Sequence, residues 1–419
     1  MFKPRDYQVS ISDKAYKILN TLNIVALVME VRCGKTITAL LTCQKAKCNH
    51  VLFITKKKVI ESNTILNDYE LVNPSFKLTQ INYESVHKLK DKDYDIIIID
   101  ESHSLGAYPK PSLRTKRIKK VVGNKRVILL SGTITPESYS QIYHQFWVSN
   151  FSPFAESSFY KWANSGYVDV QKKYVAHGNQ VNDYSKANHK LINQKISKYI
   201  LSYSQQEAGF KSKVNEHILY VEMKPITYQL VNKLENDLVI QGKKGGVILA
   251  DTGVKLMQKV HQLYSGTVKL EDGSAIITDD TKAQFIKNHF KGQKIAIFYK
   301  FKEELELLKR VFKNSLTTNL EEFNNSSKNI ALQIVSGREG ISLKNADALV
   351  MYNIDFSSTS YWQSRDRMTT KNRSVNNVYW VFSKGGLENK IYKTVLDKKS
   401  YTLSYYERSK VSKQVNKVA

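Results

Sequence analysis

The triplet Gly34-Lys35-Thr36, read together with the run Ile96-Ile97-Ile98-Ile99 that ends in Asp100-Glu101, constrains this chain more than any other feature. A glycine followed by lysine and a hydroxyl residue at a helix start closes a phosphate-binding loop. Backbone N–H groups cradle the phosphate, the ammonium neutralises it, and the hydroxyl holds Mg2+. Four isoleucines ahead of two acids describe a strand buried on both faces. Such a strand presents a metal-binding and a water-activating carboxylate at its carboxyl edge. Alone, each half is ordinary, because the triplet arises by chance and the apolar run is any core strand. Their order and separation together suit a nucleotide-binding sheet. The loop departs from the G-x-x-x-x-G-K-[ST] pattern, with Met29 at the first glycine position and Arg32 in place of a small residue.

At 419 residues the chain has room for about two to three domains. An apolar fraction of 42% with 11% aromatics excludes a disordered chain. No apolar run approaches the ~20 residues of a membrane helix, and the N-terminus lacks the hydrophobic stretch of a signal peptide. No membrane partner is expected. Cys33, Cys43 and Cys48 show no metal-ligand spacing and fit a reducing cytoplasm, that of a bacterial host if the chain is phage-encoded. The net charge of +26 points to a polyanionic partner, with nucleic acid foremost, although a generally lysine-rich surface accounts for part of it.

In chain order, Arg5-Asp6-Tyr7-Gln8 opens a helix with Ala15, Ile18 and Leu19 on one face. An aromatic followed by glutamine upstream of a phosphate loop can stack on adenine and read its edge. The plainer reading is a packed tyrosine beside a surface glutamine. Strands are expected at 24–29, 51–55, 79–84, 96–99 and 125–130. Lys56 and Lys57 follow the second strand, where they can meet phosphates. Ser131, Gly132 and Thr133 end the fifth, where small hydroxylated residues can sense the nucleotide and relay its state. This alternation predicts a doubly wound α/β domain over residues 1–150. Residues 151–215 read as a mostly helical insertion whose aromatics suit a small core.

A second α/β pattern spans 216–400, and a basic tail covers 401–419. Hairpin turn chemistry stands at 270–274. Ser336, Gly337 and Gly340 follow a strand and let backbone approach a ligand closely. Gln363, Arg365 and Arg367 lie on a helix, with Arg373 beyond it. An arginine there can reach a γ-phosphate, a contact worth roughly 10³–10⁵ in rate. The plainer alternative is a surface ion pair.

Together these residues resemble a superfamily 2 DNA helicase or translocase of the Swi/Snf-like branch, with its related phage-type DEAD/DEAH-box helicases, from Tyr7 to about Lys398. Arg5 to Gln8 resembles the adenine-reading element, Glu30 to Thr36 motif I, and Val51 to Lys57 motif Ia. Asn82-Tyr83-Glu84 is similar to the Thr-Tyr-Glu stretch that follows. Asp100-Glu101-Ser102-His103 resembles motif II, Ser131 to Pro136 motif III, and Lys294 to Phe301 motif IV. Ser336 to Asp347 resembles motif V, Trp362 to Arg373 motif VI, and Gly386-Leu387-Glu388 the turn that ends the core. The resemblance implies two RecA-like doubly wound parallel-sheet domains with a mostly helical insertion, ATP in the cleft between them, and nucleic acid across both.

It also implies roles. Lys35 meets the β- and γ-phosphates, Thr36 and Asp100 hold Mg2+, and Glu101 positions or activates the attacking water. Arg5, Tyr7, Gln8, Arg32, Cys33, Gly34 and Gly340 border the nucleotide. Thr55, Lys56, Lys57, Tyr83, Ser336 and Gly337 face nucleic acid. His103, Ser131, Gly132, Thr133 and Gln363 couple the two. Arg367 aligns with the first motif VI arginine, whereas the second position holds Thr370, so that either Lys371 or Arg373 substitutes or hydrolysis is weakened.

The expected function is an ATP-dependent DNA helicase or translocase acting on single-stranded, forked or duplex DNA, in phage or mobile-element replication or recombination. A replication or recombination protein is a further expected partner. The alternatives are a duplex translocase that separates no strands and an ATP-gated clamp or loader of low turnover.

Overall fold

The structure, a computed structural model, describes residues 2–89, 93–174, 180–210, 213–242, 246–334, 343–368 and 375–397. Its contacts divide the chain into two compact units, Met1–Phe210 and Lys211–Ala419.

In the first unit, helix α1 (Asp6–Leu22) leads into strand β1 (Ile24–Met29), and the phosphate loop leads into helix α2 (Lys35–Lys45). Strands β2 (His50–Thr55), β3 (Lys77–Asn82), β4 (Ile96–Ile99), β5 (Arg126–Ser131) and β6 (Ile200–Tyr203) complete a six-stranded sheet. Its order is β3-β2-β4-β5-β1-β6, and every pair is parallel. Alternate side chains of each strand face opposite ways. Ile97 and Ile99 therefore enter one core with Ile24 and Ala26, while Ile96 and Ile98 enter another with Val25 and Leu27. A strand apolar on both faces fits only a sheet covered on both sides.

The expected helical insertion is corrected in part. Between short helices, residues 151–210 hold an antiparallel hairpin, Gln171–Tyr174 with Gln180–Asp183, and the strand β6, which pairs with β1. At four residues, β6 is too short to show periodicity in sequence. Phe154, Phe159 and Trp162 share the core of Ile97 and Ile99, so these aromatics are packing residues.

In the second unit, strands β7 (Lys213–Val221), β8 (Ile295–Tyr299), β9 (Leu316–Thr317), β10 (Asn329–Gln333), β11 (Ala348–Met351) and β12 (Val375–Ser383) form a sheet. The order is β9-β10-β8-β11-β12-β7, again wholly parallel. Ala296 and Phe298 face one core, and Ile295 and Ile297 the other. The expected turn at 270–274 joins the hairpin Thr267–Lys269 with Ala275–Ile277, and Gly273 takes a φ of +87° there. The chain thus has two doubly wound parallel-sheet units. Among the described residues, no helix is long and apolar enough to cross a membrane.

Candidate nucleotide site

Strand β1 ends at the fully buried Met29, and the backbone then turns sharply. Arg32 has a φ of +67° and Gly34, the N-cap of α2, a φ of +76°. A β-carbon on Gly34 would stand 2.1 Å from the Gln8 amide nitrogen, so glycine is required there for space as well as for φ. Gln8 is almost wholly buried, and its Oε1 accepts the Arg5 N–H at 2.9 Å. Arg5 donates to the Tyr7 hydroxyl at 2.8 Å, and that hydroxyl donates to the Cys33 carbonyl at 3.2 Å. The structure thus brings Arg5, Tyr7 and Gln8 against the phosphate loop. Burial, reinforced by Glu30, pushes the Cys33 thiol up to about 11, so it packs as a neutral group. Lys35 and Thr36 open α2.

The acids arrive from β4. Its register with β2 pairs Ile54 with Ile99, which sets Thr55 beside Asp100. The Thr55 hydroxyl donates to Asp100 Oδ2 at 2.8 Å, and the Glu101 N–H donates to Oδ1 at 3.0 Å. The Tyr83 hydroxyl donates to the Asp100 carbonyl. Burial and the adjacent Glu101 carboxylate push the Asp100 carboxyl up to about 6, against the opposing pull of Lys35. Glu101 itself is left-handed, with a φ of +50°. A non-glycine residue held there stores strain of order 1–3 kcal/mol.

His103 Nδ1 lies 3.1 Å from Ser131 Oγ and 3.2 Å from Glu101 Oε2. Ser131 Oγ gives its own proton to the Thr133 carbonyl at 2.8 Å. Both neighbours of Nδ1 therefore accept, which assigns the proton to that nitrogen. A β-carbon on Gly132 would stand 3.6 Å from Lys35 Nζ. The phosphate loop, the acidic pair and residues 131–133 thus meet at the carboxyl edge of β1, β4 and β5, where open α/β sheets bind ligands.

Two expected nucleic-acid contacts are corrected by burial. The side chains of Thr55 and Tyr83 are almost fully enclosed and spend their hydroxyls on Asp100. They hold the acid rather than face a strand. Lys56 stands at the N-cap position of the short helix Lys57–Glu61, and Lys57 is exposed, 3.6 Å from Glu61.

In the second unit, Gln363 sits on helix Ser358–Arg365, and Arg367 follows in a short turn. Arg367 is 7% exposed, and its carbonyl accepts the Leu343 N–H at 3.3 Å. Ser336, Gly337, Gly340, Thr370, Lys371 and Arg373 lie outside the described residues.

Sequence reasoning missed two arrangements because each joins distant segments. In the first, Tyr203 stacks on Tyr7 at 4.6 Å, while Gln205 bonds to the phosphate loop through Glu30 and Val31. In the second, Glu216 on β7 accepts from Tyr361 at 2.7 Å, Trp380 at 2.8 Å, Arg365 at 3.2 Å and Tyr392 at 3.2 Å. Arg365 also stacks over Trp362, 4.4 Å from its ring centre. One carboxylate thereby anchors the arginine-bearing helix to the sheet. No signal within a short window of sequence reveals either.

Residues 280–370 match the helicase conserved C-terminal domain. No curated protein sequence matches the chain. Among solved structures, the chain is similar to the Sulfolobus solfataricus SWI2/SNF2 ATPase core in complex with dsDNA. Identity there is 15% over 94% of this chain and 91% of that one, with a TM-score of 0.40. It is also similar to the ATP-dependent Type ISP restriction-modification enzyme LlaBIII bound to DNA, with 12% identity, 91% of this chain, 28% of that one and a TM-score of 0.49. At TM-scores this low neither likeness carries the fold, which rests on the strand topology. Two doubly wound units, the second holding the helicase match, agree with the helicase-type core that the motifs anticipate.

Proposed function

We propose that this chain is an ATP-driven DNA helicase or translocase, hydrolysing ATP at the site of Lys35, Asp100 and Glu101 and coupling it to movement along DNA. The observation that carries the reading is the half-buried Asp100 carboxyl. Thr55 and Glu101 fix its two oxygens, Lys35 pulls on its charge, and burial makes that charge costly without a cation. A carboxylate held in this way suits Mg2+, which takes one or two carboxylates and completes its shell with water and phosphate. Among the described residues no cluster of three or more His, Cys, Asp or Glu side chains could hold a metal by itself. Asp100 and Thr36 would therefore hold the ion jointly with a nucleotide, and the ion would neutralise charge on the phosphates.

In this reading Lys35 neutralises the β- and γ-phosphates, and the loop N–H groups orient them. Glu101, raised on a strained backbone and bridged by His103 to Ser131, orients and deprotonates the attacking water. The same bridge reports the state of the acid to the end of β5. By the motif resemblance alone, Arg367 and Arg373 are the candidates for an arginine that supplies positive charge to the γ-phosphate. DNA as partner is supported by the net charge of +26 and the helicase match in the second unit. The setting in phage or mobile-element replication or recombination rests on the motif resemblance alone.

Lys35→Ala and Glu101→Gln test the site. Each is expected to lower turnover at least about a hundredfold while leaving DNA affinity in place. Unchanged hydrolysis in either variant would sink the assignment.

A further inference from the structure

We propose that Gln205 is a positioning residue for nucleotide binding. It pins the phosphate loop from the segment that leads into the second unit. The inference rests on the nucleotide-site reading above and adds a residue that belongs to none of the helicase-like motifs.

The loop is unusual in needing help. It lacks the first glycine of its pattern and carries Arg32 at a φ of +67°, a conformation that an arginine does not hold by preference. Something must fix it, and three bonds from one segment do. The Glu30 N–H donates to the Tyr203 carbonyl at 3.0 Å, extending the ladder of β1 with β6. The Gln205 N–H donates to Glu30 Oε2 at 2.7 Å. The Gln205 side-chain amide donates to the Val31 carbonyl at 2.9 Å.

The last bond is the informative one. In a planar trans peptide, C=O and N–H point in opposite directions. Holding the Val31 carbonyl toward Gln205 therefore turns the Arg32 N–H the other way. By the same geometry the Tyr7 hydroxyl, bonded to the Cys33 carbonyl, turns the Gly34 N–H away from Tyr7. Two loop carbonyls are thus tied back by side chains, and the two amides paired with them are pre-oriented donors. Pre-oriented N–H groups are what an anion at a helix N-terminus requires.

Gln205 is itself braced. Glu207 accepts from the Ser204 N–H and from the Ser204 hydroxyl, both at 2.7 Å, and the Glu207 N–H donates back to Ser204 Oγ at 3.2 Å. The Tyr203 hydroxyl donates to the Glu207 carbonyl at 3.0 Å, and the Tyr203 ring stacks on Tyr7. One turn therefore holds both the loop and the aromatic beside it. The turn lies just ahead of Lys211, where the second unit begins.

The test uses the full chain and compares wild type with Gln205→Ala, Gln205→Glu and a neighbouring control, Gln206→Ala. Binding of a fluorescent ATP analogue with Mg2+ is measured beside steady-state hydrolysis. Losing the donor in Gln205→Ala is expected to raise the analogue's Kd and the KM for ATP about fivefold, the ratio set by one hydrogen bond. Gln205→Glu, which turns a carboxylate toward the Val31 carbonyl, should raise both further, and Gln206→Ala should raise neither. A merely structural role would lower the active fraction and hence kcat, with KM unmoved, and that result overturns the proposal. So does wild-type affinity in both Gln205 variants. A wild-type chain that binds no nucleotide would take down this proposal together with the reading beneath it. Wild-type binding with indifferent variants removes the proposal alone.

Discussion

At Asp100 the proposed function is set against stability most visibly. Its carboxyl titrates near 6 in the folded chain against about 4 in an unfolded one, so the folded state binds the proton more tightly. Ionisation above pH 6 therefore costs the fold stability. Asp100→Asn should raise unfolding free energy at pH 8 by about 1–3 kcal/mol, and lose that advantage below pH 4, while ending turnover. Denaturant titrations at the two pH values check this, and a less stable variant at pH 8 would contradict it. Lys35, Asp100 and Glu101 were legible in the sequence because a glycine-lysine pair and an apolar run ending in acids are local patterns. Thr55 and Tyr83 were not. Their hydroxyls are committed to Asp100 by strand pairing and by a turn after β3, and a linear reading cannot supply either.

Among the elements, the short helix Ile142–Trp147 ties residues 151–210 to the first sheet. His144 on it is buried among Tyr143, Trp147 and Phe159, and its Nδ1 donates to the Ala107 carbonyl at 2.6 Å. Burial pulls its pKa down to about 4, against an unfolded value near 6.5. The stability that this neutral ring contributes is complete above pH 6.5 and is lost as pH falls toward 4. The loss should reach about 2–3 kcal/mol, and His144→Gln should flatten that dependence whatever its effect at pH 8. Equal slopes for wild type and variant would refute it.

The Glu216 anchor makes the matching case in the second unit. Glu216→Ala removes the one carboxylate that Tyr361, Trp380, Arg365 and Tyr392 share, and should destabilise this unit by about 3–5 kcal/mol, read by chemical unfolding. Most sheet strands were visible in the sequence as apolar runs. The exceptions were β6 and β9, short edge strands whose identity comes from the neighbour they pair with.

For the whole molecule, two parallel-sheet units carry a surplus of 26 positive charges, which on the proposed reading serves a polyanionic DNA track. Because phosphate contacts release counterions, DNA affinity should fall steeply between 50 and 200 mM salt, by roughly 10³-fold or more if about six phosphates are engaged. A nearly salt-independent affinity would remove the electrostatic basis for the track. Steady-state ATP hydrolysis, measured with no nucleic acid, single-stranded DNA, forked DNA, blunt duplex and RNA, puts the motor itself to the test. We expect DNA to stimulate turnover and Lys35→Ala to abolish it. Single-stranded or forked DNA acting best would indicate strand separation, and blunt duplex acting alone would indicate a duplex translocase. Tight DNA binding with no hydrolysis under any condition would contradict the motor and leave an ATP-gated clamp in its place.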